Sequence, residues 1–489
     1  MKAERVKNGL LIAVSCISLL VVFISQLYFL NPYTSSWDQV DFSLAVKRFD
    51  IMAMQPHFPG YPFFILGGKF LSLFVNDPSK ALTLFNILFY FTALIPIYKL
   101  NRTFINRSFA ALATAVIYST SYTIIMVNQP MSEGAALAAF WWYVWSLVFS
   151  LNRRNTTAIL LPLAFLSIML GIRLSYIPFA TGVIFLFFWK VKHEGMKIRE
   201  IFIYLLFGIV FQACWVTALI ISEGSLLGFI KLSLAFTSGH FTDWGGTAEA
   251  LDMSLFERFK LLVWDNIFWT GIFTQSIITS FIFMFFIAFI FIRSFNKHGK
   301  IRAKLTLYLF YILFFSYFVW ALLAQNIEKA RHSLPLIILI VFFLCIQLYF
   351  RKVPILILWL SIFLLGSQVI KDVSLLKEEA AEAPAIYQMN TYLEKVNQPI
   401  LLYTWEETRV LQYLNAPYTH KRINTFEFFQ SETKYFGSST VYLTDKVVQG
   451  FKSQGVLLDG KIKKVAAFQS NELFDPVYNE IILYQWIDK

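Results

Sequence analysis

Long apolar runs separated by short polar segments dominate this sequence. They lie near 9–30, 80–98, 108–127, 134–151, 157–172, 174–190, 201–222, 266–292, 305–324, 333–350 and 354–371. About 20 apolar residues in a helix span the ~30 Å hydrocarbon layer of a bilayer. The pattern therefore predicts a polytopic α-helical membrane protein with about 11 transmembrane helices.

Composition supports a membrane location and indicates the orientation. Of the 489 residues, 57% are hydrophobic and 15% are charged, and 42 Lys+Arg against 30 Asp+Glu give a net charge of +12. The basic residues concentrate between alternate apolar runs, as expected for cytoplasmic segments. We therefore expect a multi-pass protein of the cell membrane with a cytoplasmic N-terminus, contacts with membrane lipids and no nucleic-acid partner.

The chain divides into two predicted domains. Residues 1–371 are expected to form the transmembrane domain, with long outer loops at 31–79 (the first loop) and 223–265 (the second loop). Connections of that length usually carry function. After the last run, residues 372–489 alternate short apolar and polar stretches, which predicts a small α/β domain on the extracytoplasmic side.

The first loop carries two acids at the start of a predicted helix. Asp38 and Asp41 follow Ser36 and are three residues apart, so their side chains share one helix face. One interpretation is helix capping and dipole compensation. The other is a carboxylate that takes a proton from an acceptor hydroxyl, or a pair that holds a divalent cation.

A proline-rich segment follows in the same loop. It reads Pro56-His57-Phe58-Pro59-Gly60-Tyr61-Pro62, and its prolines fix the backbone and delay the next helix. His57 is either a substrate-binding side chain or a ring packed between prolines with one satisfied N–H.

Charged residues at other predicted span ends are further candidates. Glu133 opens a helix in an outer turn, where it is either a supporting acid or an ordinary N-terminal capping residue. Arg173 interrupts an apolar run, where a positive charge is costly without a cavity or partner. Lys329 and Arg331 precede a late span, and snorkelling to the interface explains one of them.

The second loop contains His240, Asp243 and Trp244 among glycines. This composition suits a mobile flap over a sugar, with Trp244 as a stacking surface. A plain flexible loop fits equally well. His240 and Asp243 supply only two candidate metal ligands.

Four segments resemble the polytopic glycosyltransferases of the GT-C superfamily, relatives of the protein O-mannosyltransferases and of the enzymes that attach aminoarabinose to lipid A. WDQVDFSLAVKRFD and QPHFPGYP are similar to the acidic first outer loop of that superfamily. NQPMSEGAALA (128–138) is similar to its second outer turn, GIRLSYIP (171–178) to its arginine-containing break, and EKARHSLP (328–335) to its late Arg-aromatic-x-x-Pro turn. His332 stands where the superfamily often has Tyr.

The resemblance implies a GT-C-like fold and a hexosyl- or pentosyltransferase. A sugar would move from a polyprenyl-phosphate donor to an acceptor (protein, lipid or wall polymer) on the outer face, by single displacement with inversion. Asp38 would be the base, with Asp41 and Glu133 as supporting acids. Arg173, Arg331 and Lys329 would bind the donor phosphate. His57, Tyr61, His240 and Trp244 would contact substrate, and Asp38 with Asp41 would be the candidate ligands of any divalent cation.

A transporter or flippase of a lipid-linked saccharide is the alternative. Transporters place polar groups near the bilayer midplane and often contain internal repeats. In this sequence the polar candidates gather at the predicted outer boundary and no repeat is evident, which favours the enzyme.

Overall fold

The chain folds into a helical bundle followed by a small mixed sheet. The computed structural model describes residues 2–249, 253–293, 301–433, 435 and 437–487. The bundle contains α1 (Lys2–Tyr28), α2 (Trp37–Lys47), α3 (Pro62–Leu71), α4 (Pro78–Thr92), α5 (Leu94–Phe104), α6 (Arg107–Tyr118), α7 (Ser121–Val127), α8 (Glu133–Leu151), α9 (Thr156–Ile172), α10 (Thr181–Glu194), α11 (Ile198–Glu223), α12 (Leu226–Gly239), α13 (Leu255–Lys260), α14 (Ile277–Arg293), α15 (Ile301–Ala324), α16 (Leu334–Tyr349) and α17 (Ile355–Ala381). Short 3-10 helices lie at Leu174–Ala180 and Ala330–Ser333, and π-helical segments lie at His240–Trp244 and Leu261–Ile272.

The apolar runs form the helices of a multi-pass membrane protein. Within the described residues, eight helices are long and apolar enough to cross a membrane, or up to ten if each of two bent pairs is one span. The expected number was about eleven. One of the expected spans, the run at 157–172, forms α9, which has 17 residues and is too short to be counted among the eight.

The run at 266–292 is not one straight helix. The helical segment Leu255–Ile272 meets α14 at an angle of 111°. Between them, Thr274 and Gln275 adopt positive φ angles of 48° and 57°, a conformation that reverses the chain at little length. Hydropathy alone does not reveal such a turn, because the residues on both sides are apolar.

A five-stranded sheet with flanking helices follows the bundle. Its strands are β1 (Ile400–Thr404), β2 (Thr419–Arg422), β3 (Thr440–Thr444), β4 (Ile462–Gln469) and β5 (Glu480–Trp486), and its helices are α18 (Ala385–Leu393), α19 (Glu407–Tyr413), α20 (Phe426–Thr433) and α21 (Asp445–Ser453). The strand order is β2-β1-β3-β5-β4. β1 pairs in parallel with β2 and β3, and the other pairs are antiparallel. All five residues of β1 are buried, as a central parallel strand with both faces covered requires.

The bundle and this C-terminal domain meet along α2 and the end of α17. Phe42 and Val46 of α2 belong to the core of the bundle, whereas Val40 packs in the core of the C-terminal domain with Val410. α17 continues to Ala381, past the boundary expected at residue 371. The first loop, which begins before α2, is therefore held between the two parts.

Candidate active site

α2 lies within the first loop, and Asp38 is in the first turn of this helix. Ser36 occupies the N-cap position, but its side chain makes no capping hydrogen bond. Instead, the side chain of Gln39 accepts a hydrogen bond from the Ser35 backbone N–H at 2.7 Å. Asp38 is therefore not needed to close the helix end, and its side chain retains 29% exposure.

Asp38 is the first member of a chain of opposite charges. Arg331 donates a hydrogen bond from a terminal nitrogen to Asp38 Oδ2 at 2.7 Å, and its Nε lies 3.0 Å from Glu133 Oε1. The same Glu133 oxygen lies 3.1 Å from a terminal nitrogen of Arg173. Asp38, Arg331, Glu133 and Arg173 come from four separate segments of the bundle, and we call them the ion network. All four were predicted from the sequence as site residues.

Glu133 is held at the start of α8 by an amide from α4. The Asn86 side chain donates to the carbonyls of Gln129 and Met131, at 2.8 and 2.7 Å, and accepts from the Ala135 N–H. These bonds fix the turn that carries Glu133. Ser132 makes no cap bond and accepts a hydrogen bond from Arg173 at 2.8 Å. The geometry thus departs from an ordinary capping arrangement.

The same turn is tied to the end of α17. Glu379 accepts hydrogen bonds from Asn31 at 3.1 Å and from Gln129 at 3.0 Å. Asn128 approaches the second Glu379 oxygen at 3.4 Å. The first loop and the Glu133 turn therefore share one anchor, which maintains their spacing.

Arg173 lies where two helices fail to join. α9 ends at Ile172, Arg173 is extended (φ −152°, ψ 101°), and a 3-10 helix begins at Leu174. Gly171 permits this arrangement because a Cβ there would lie 2.4 Å from the Phe63 ring. The guanidinium is buried, with 9% side-chain exposure, and its ion pair with Glu133 offsets the cost of that burial.

Lys329 adds an unpaired cation beside the ion network. Among the described residues no hydrogen bond or ion pair engages its ammonium. Burial raises the pKa of Asp38, but Lys329, His57 and Arg331 lower it more, so the pKa lies well below its ordinary value. Asp38 is therefore ionised, and its charge is exceeded by the cations around it.

His57 links Asp38 to Asp41. Its Nδ1 lies 3.2 Å from Asp41 Oδ2, and its Nε2 lies 3.1 Å from Tyr61 Oη and 4.0 Å from Asp38 Oδ1. The ring also packs against Phe42, with centroids 5.4 Å apart. His57 is thus more than a ring enclosed by prolines, since both its nitrogens face polar partners.

Asp41 is enclosed and fully engaged. Its side chain has 0% exposure, and Arg409 of α19 donates from Nε to Oδ1 at 2.9 Å while His57 occupies Oδ2. Arg409 also donates to the Met54 carbonyl at 3.2 Å. The described residues contain no group of three or more His, Cys, Asp and Glu side chains that could hold a metal ion. Both carboxylate oxygens of Asp41 are thus engaged, one by Arg409 and the other by His57.

The second loop is largely helical. It contains α12, which packs its Phe236 on Phe58 of the first loop with centroids 5.1 Å apart. His240 Nε2 lies 2.9 Å from the Ala324 carbonyl at the end of α15. The side chain of Trp244 lies outside the described part of the chain. A glycine-rich loop without secondary structure was one expectation, and the helices replace it.

Arg258 fastens this region to α15. Its guanidinium donates to the carbonyls of Leu322, Gly246, Thr247 and Gln325 at 3.0 to 3.2 Å. The residue has 0% exposure. Carbonyls at the end of a helix attract a cation, so the contact holds the second loop against the end of α15.

An apolar groove of about 510 Å³ lies beside the 3-10 helix that follows Arg173. The groove is lined by Ile177, Pro178, Phe241, Ser316, Val319, Trp320, Leu323 and Ala324. Ile177 and Pro178 belong to the 3-10 helix that directly follows Arg173, and Phe241 comes from the second loop. The groove is thus formed by the segment after Arg173, the second loop and α15, and its walls are almost entirely apolar.

Comparison with known proteins extends to nearly the whole chain. Two crystal structures of ArnT from Cupriavidus metallidurans, one bound to undecaprenyl phosphate and one in the apo state, superpose with TM-scores of 0.56 and 0.59. Each shares 10% sequence identity and covers 98% of this chain and 98% of its own. No protein-family model matches the sequence, and no curated protein matches it significantly. A likeness at this identity concerns the three-dimensional arrangement, and by that arrangement the chain has the GT-C fold.

Proposed function

We propose that this protein is a membrane glycosyltransferase that moves a sugar from a polyprenyl-phosphate donor to an acceptor hydroxyl. The observation that carries the proposal is the 2.7 Å contact between Asp38 and Arg331. It is supported by Lys329, which has no partner among the described residues, and by an apolar groove along the 3-10 helix that follows Arg173. A base, cations for a phosphate and a space for an isoprenoid chain are the three parts that such a reaction needs.

The donor is proposed from charge and shape together. A polyprenyl phosphate combines an anionic head with a long apolar tail. The cations of the ion network would bind the head, and the apolar groove along the 3-10 helix that follows Arg173 would hold part of the tail. One ArnT structure of the same fold is bound to undecaprenyl phosphate. Arg331 and Lys329 would bind the phosphate oxygens from one side, and Arg173 from the groove side.

The transfer itself is a single displacement with inversion. The acceptor oxygen attacks the sugar C1 on the face opposite the phosphate, and Asp38 takes the hydroxyl proton as the new C1–O bond forms. The bond between C1 and the phosphate oxygen breaks, and its electron pair leaves with the polyprenyl phosphate. Fixed cations stabilise that growing charge.

Arg331 couples donor binding to activation of Asp38. Without donor, Arg331 neutralises Asp38, whose lowered pKa makes it a weak base. A donor phosphate competes for the same guanidinium. The carboxylate then regains basicity when the sugar is in place.

The other site residues are assigned to orientation. Glu133 separates the two guanidinium groups, because one of its oxygens lies about equally far from each. Tyr61 donates to His57 Nε2 when that nitrogen is unprotonated, and burial raises its pKa well above the ordinary value. His240 shapes the groove through the second loop. We further propose a cytoplasmic N-terminus, with the site and the C-terminal domain on the outer face.

The proposal is tested with purified protein in lipid nanodiscs. The donor is a polyprenyl-phosphate hexose or pentose labelled in the sugar, and the acceptor is a cell-envelope extract that offers protein, lipid and wall polymer. Label in a product of the extract, with matching release of polyprenyl phosphate, is the expected result. Failure to release polyprenyl phosphate with any donor contradicts the proposal.

The flippase alternative gives a different result. In sealed vesicles a flippase moves the intact labelled lipid between leaflets and leaves the C1–O bond unbroken. Transport of intact donor without bond cleavage would replace the enzyme by the transporter.

A further inference from the structure

We propose that Arg409 of the C-terminal domain is a positioning residue for the reaction, acting through Asp41 and His57 on Asp38. This inference rests on the proposed function. It assigns the C-terminal domain a part in the active site, and the assignment follows from contacts between segments that lie 368 residues apart.

Arg409 holds two parts of the first loop at once. Its Nε and a terminal nitrogen lie 2.9 and 2.8 Å from the same oxygen of Asp41. The other contact, at 3.2 Å, goes to the carbonyl of Met54, just before the proline-rich segment. One guanidinium thus fixes the distance between α2 and the segment that carries His57.

Packing makes this contact rigid. Val40 of α2 is fully buried in the core of the C-terminal domain, together with Val410, the residue that follows Arg409. Leu44, one helical turn later, packs against the same core. α2 therefore cannot shift without displacing the C-terminal domain.

The consequence for His57 is a defined proton position. Because Arg409 occupies Oδ1 of Asp41, Oδ2 is left to accept the Nδ1–H of His57. A carboxylate only accepts, so Nδ1 carries the hydrogen, and when the ring is neutral its Nε2 lone pair faces Tyr61 and Asp38. The histidine is thereby ready to receive a proton on the side of Asp38.

This geometry gives the reaction a route for its proton. Asp38 gains one proton from the acceptor hydroxyl during transfer and must lose it before the next turnover. Nε2 of His57, 4.0 Å from Asp38 Oδ1 in the resting structure, accepts that proton and becomes imidazolium. The charged groups that face the ring are Asp38 and Asp41, with Tyr61 on the loop and Arg331 and Lys329 behind Asp38. Release of the proton to water restores the neutral ring.

Three variants test the role by kinetics. R409M is expected to lower kcat by about 10- to 100-fold while KM for the polyprenyl-phosphate donor stays within about twofold, because misorientation affects the chemical step rather than phosphate binding. R409K is expected to recover part of the loss. The matched control is R48M, which removes an exposed arginine of the same loop that pairs with Asp50 at 2.5 Å. R48M should keep the wild-type kcat.

A double-variant cycle separates positioning from a general structural effect. If Arg409 acts through His57, R409M added to H57Q causes no further loss of kcat. A kcat of R409M within twofold of wild type, or a full additional loss in the H57Q background, overturns the proposal.

A spectroscopic test is independent of turnover. In protein labelled with ¹⁵N-histidine, the His57 signal is identified by its absence in H57Q. We expect the Nδ1–H form in wild type and a mixture of tautomers in R409M. Unchanged His57 signals in a folded R409M protein overturn the proposal. If wild type transfers no sugar, the proposed function fails, and this measurement still decides whether Arg409 positions His57.

Discussion

The molecule contains two kinds of buried charge, and their partners differ. In the ion network, Arg331 and Arg173 face the carboxylates of Asp38 and Glu133. Arg258, in contrast, has 0% exposure, and its hydrogen bonds within the described part of the chain all go to backbone carbonyls. Glu407 in the C-terminal domain resembles Arg258, since it is buried and accepts from the Trp405 backbone N–H at 2.8 Å.

The difference indicates how each charge is used. A guanidinium that neutralises a partly exposed carboxylate can exchange that partner for an incoming phosphate. A buried guanidinium that donates four hydrogen bonds to backbone carbonyls stabilises the fold. Each of the following predictions tests this difference between charges that serve the reaction and charges that stabilise the fold.

The largest expected effect is on transfer by D38N. Loss of the base should lower kcat by about 10³-fold or more. Donor KM should not rise, because the amide no longer competes with phosphate for Arg331. Transfer of labelled sugar is the measurement, with thermal unfolding as the control for folding. Near-normal kcat in a folded D38N protein would remove Asp38 from the mechanism.

Replacement of Arg331 comes next. R331M should lower kcat/KM by about 10²- to 10³-fold, because a charge-assisted contact to the leaving phosphate is lost. R331K, which keeps the charge without the planar fork, should fall between R331M and wild type. Binding of polyprenyl phosphate to the three proteins checks the assignment. Equal affinity for R331M and wild type would contradict it.

R258M should lower the stability of the protein and leave kcat unchanged, which is the reverse of the effects expected for D38N and R331M. Four buried carbonyls would lose their donor, and we expect the free energy of unfolding to fall by about 3 kcal/mol. Thermal unfolding should show the loss, while the folded fraction keeps its kcat. R293M is the matched control, since half-buried Arg293 donates to one carbonyl among the described residues, that of Lys352. A lowered kcat in R258M without loss of stability would contradict the assignment of Arg258 to stabilising the fold.

Glu407 gives the smallest effect and a dependence on pH. Burial raises its pKa from 4.5 to about 7. Between these values the folded protein holds a proton that the unfolded chain has released. The free energy of unfolding should therefore fall as pH rises from 4.5 to 7, by at most about 3 kcal/mol, and then level off. E407Q should lack this slope. Unfolding of both full-length proteins at pH 5 and 8 is the measurement, and equal slopes would exclude Glu407 as the cause.

Much of the candidate site could be anticipated from short motifs. Glu133, Arg173 and Arg331 each stand at a predicted span end or break, where a charge is conspicuous against apolar neighbours, and Asp38 opens a predicted helix in the first loop. Since the ends of membrane helices on one side share a plane, such residues are confined to the same layer. The structure brings all four into contact.

The residues that the sequence did not reveal depend on long-range packing. Arg409 lies in a short helix of mixed polarity, and nothing near it indicates a partner in the first loop. Arg258 also lacks a local signal, because backbone carbonyls have no signature in a sequence. The helical second loop was concealed by its glycines. The bend at residues 273–276 was concealed because its short polar segment lies between long apolar stretches.

The shared oxygen of Glu133 has a mechanical consequence. Because Arg331 and Arg173 pull on the same atom, displacement of one guanidinium alters the force on the other. Arg173 directly precedes the 3-10 helix that forms one wall of the groove. Binding of the phosphate and binding of the apolar tail of a lipid would therefore be coupled through the Glu133 carboxylate. Affinity should then grow more steeply with chain length for a phosphorylated lipid than for its uncharged alcohol.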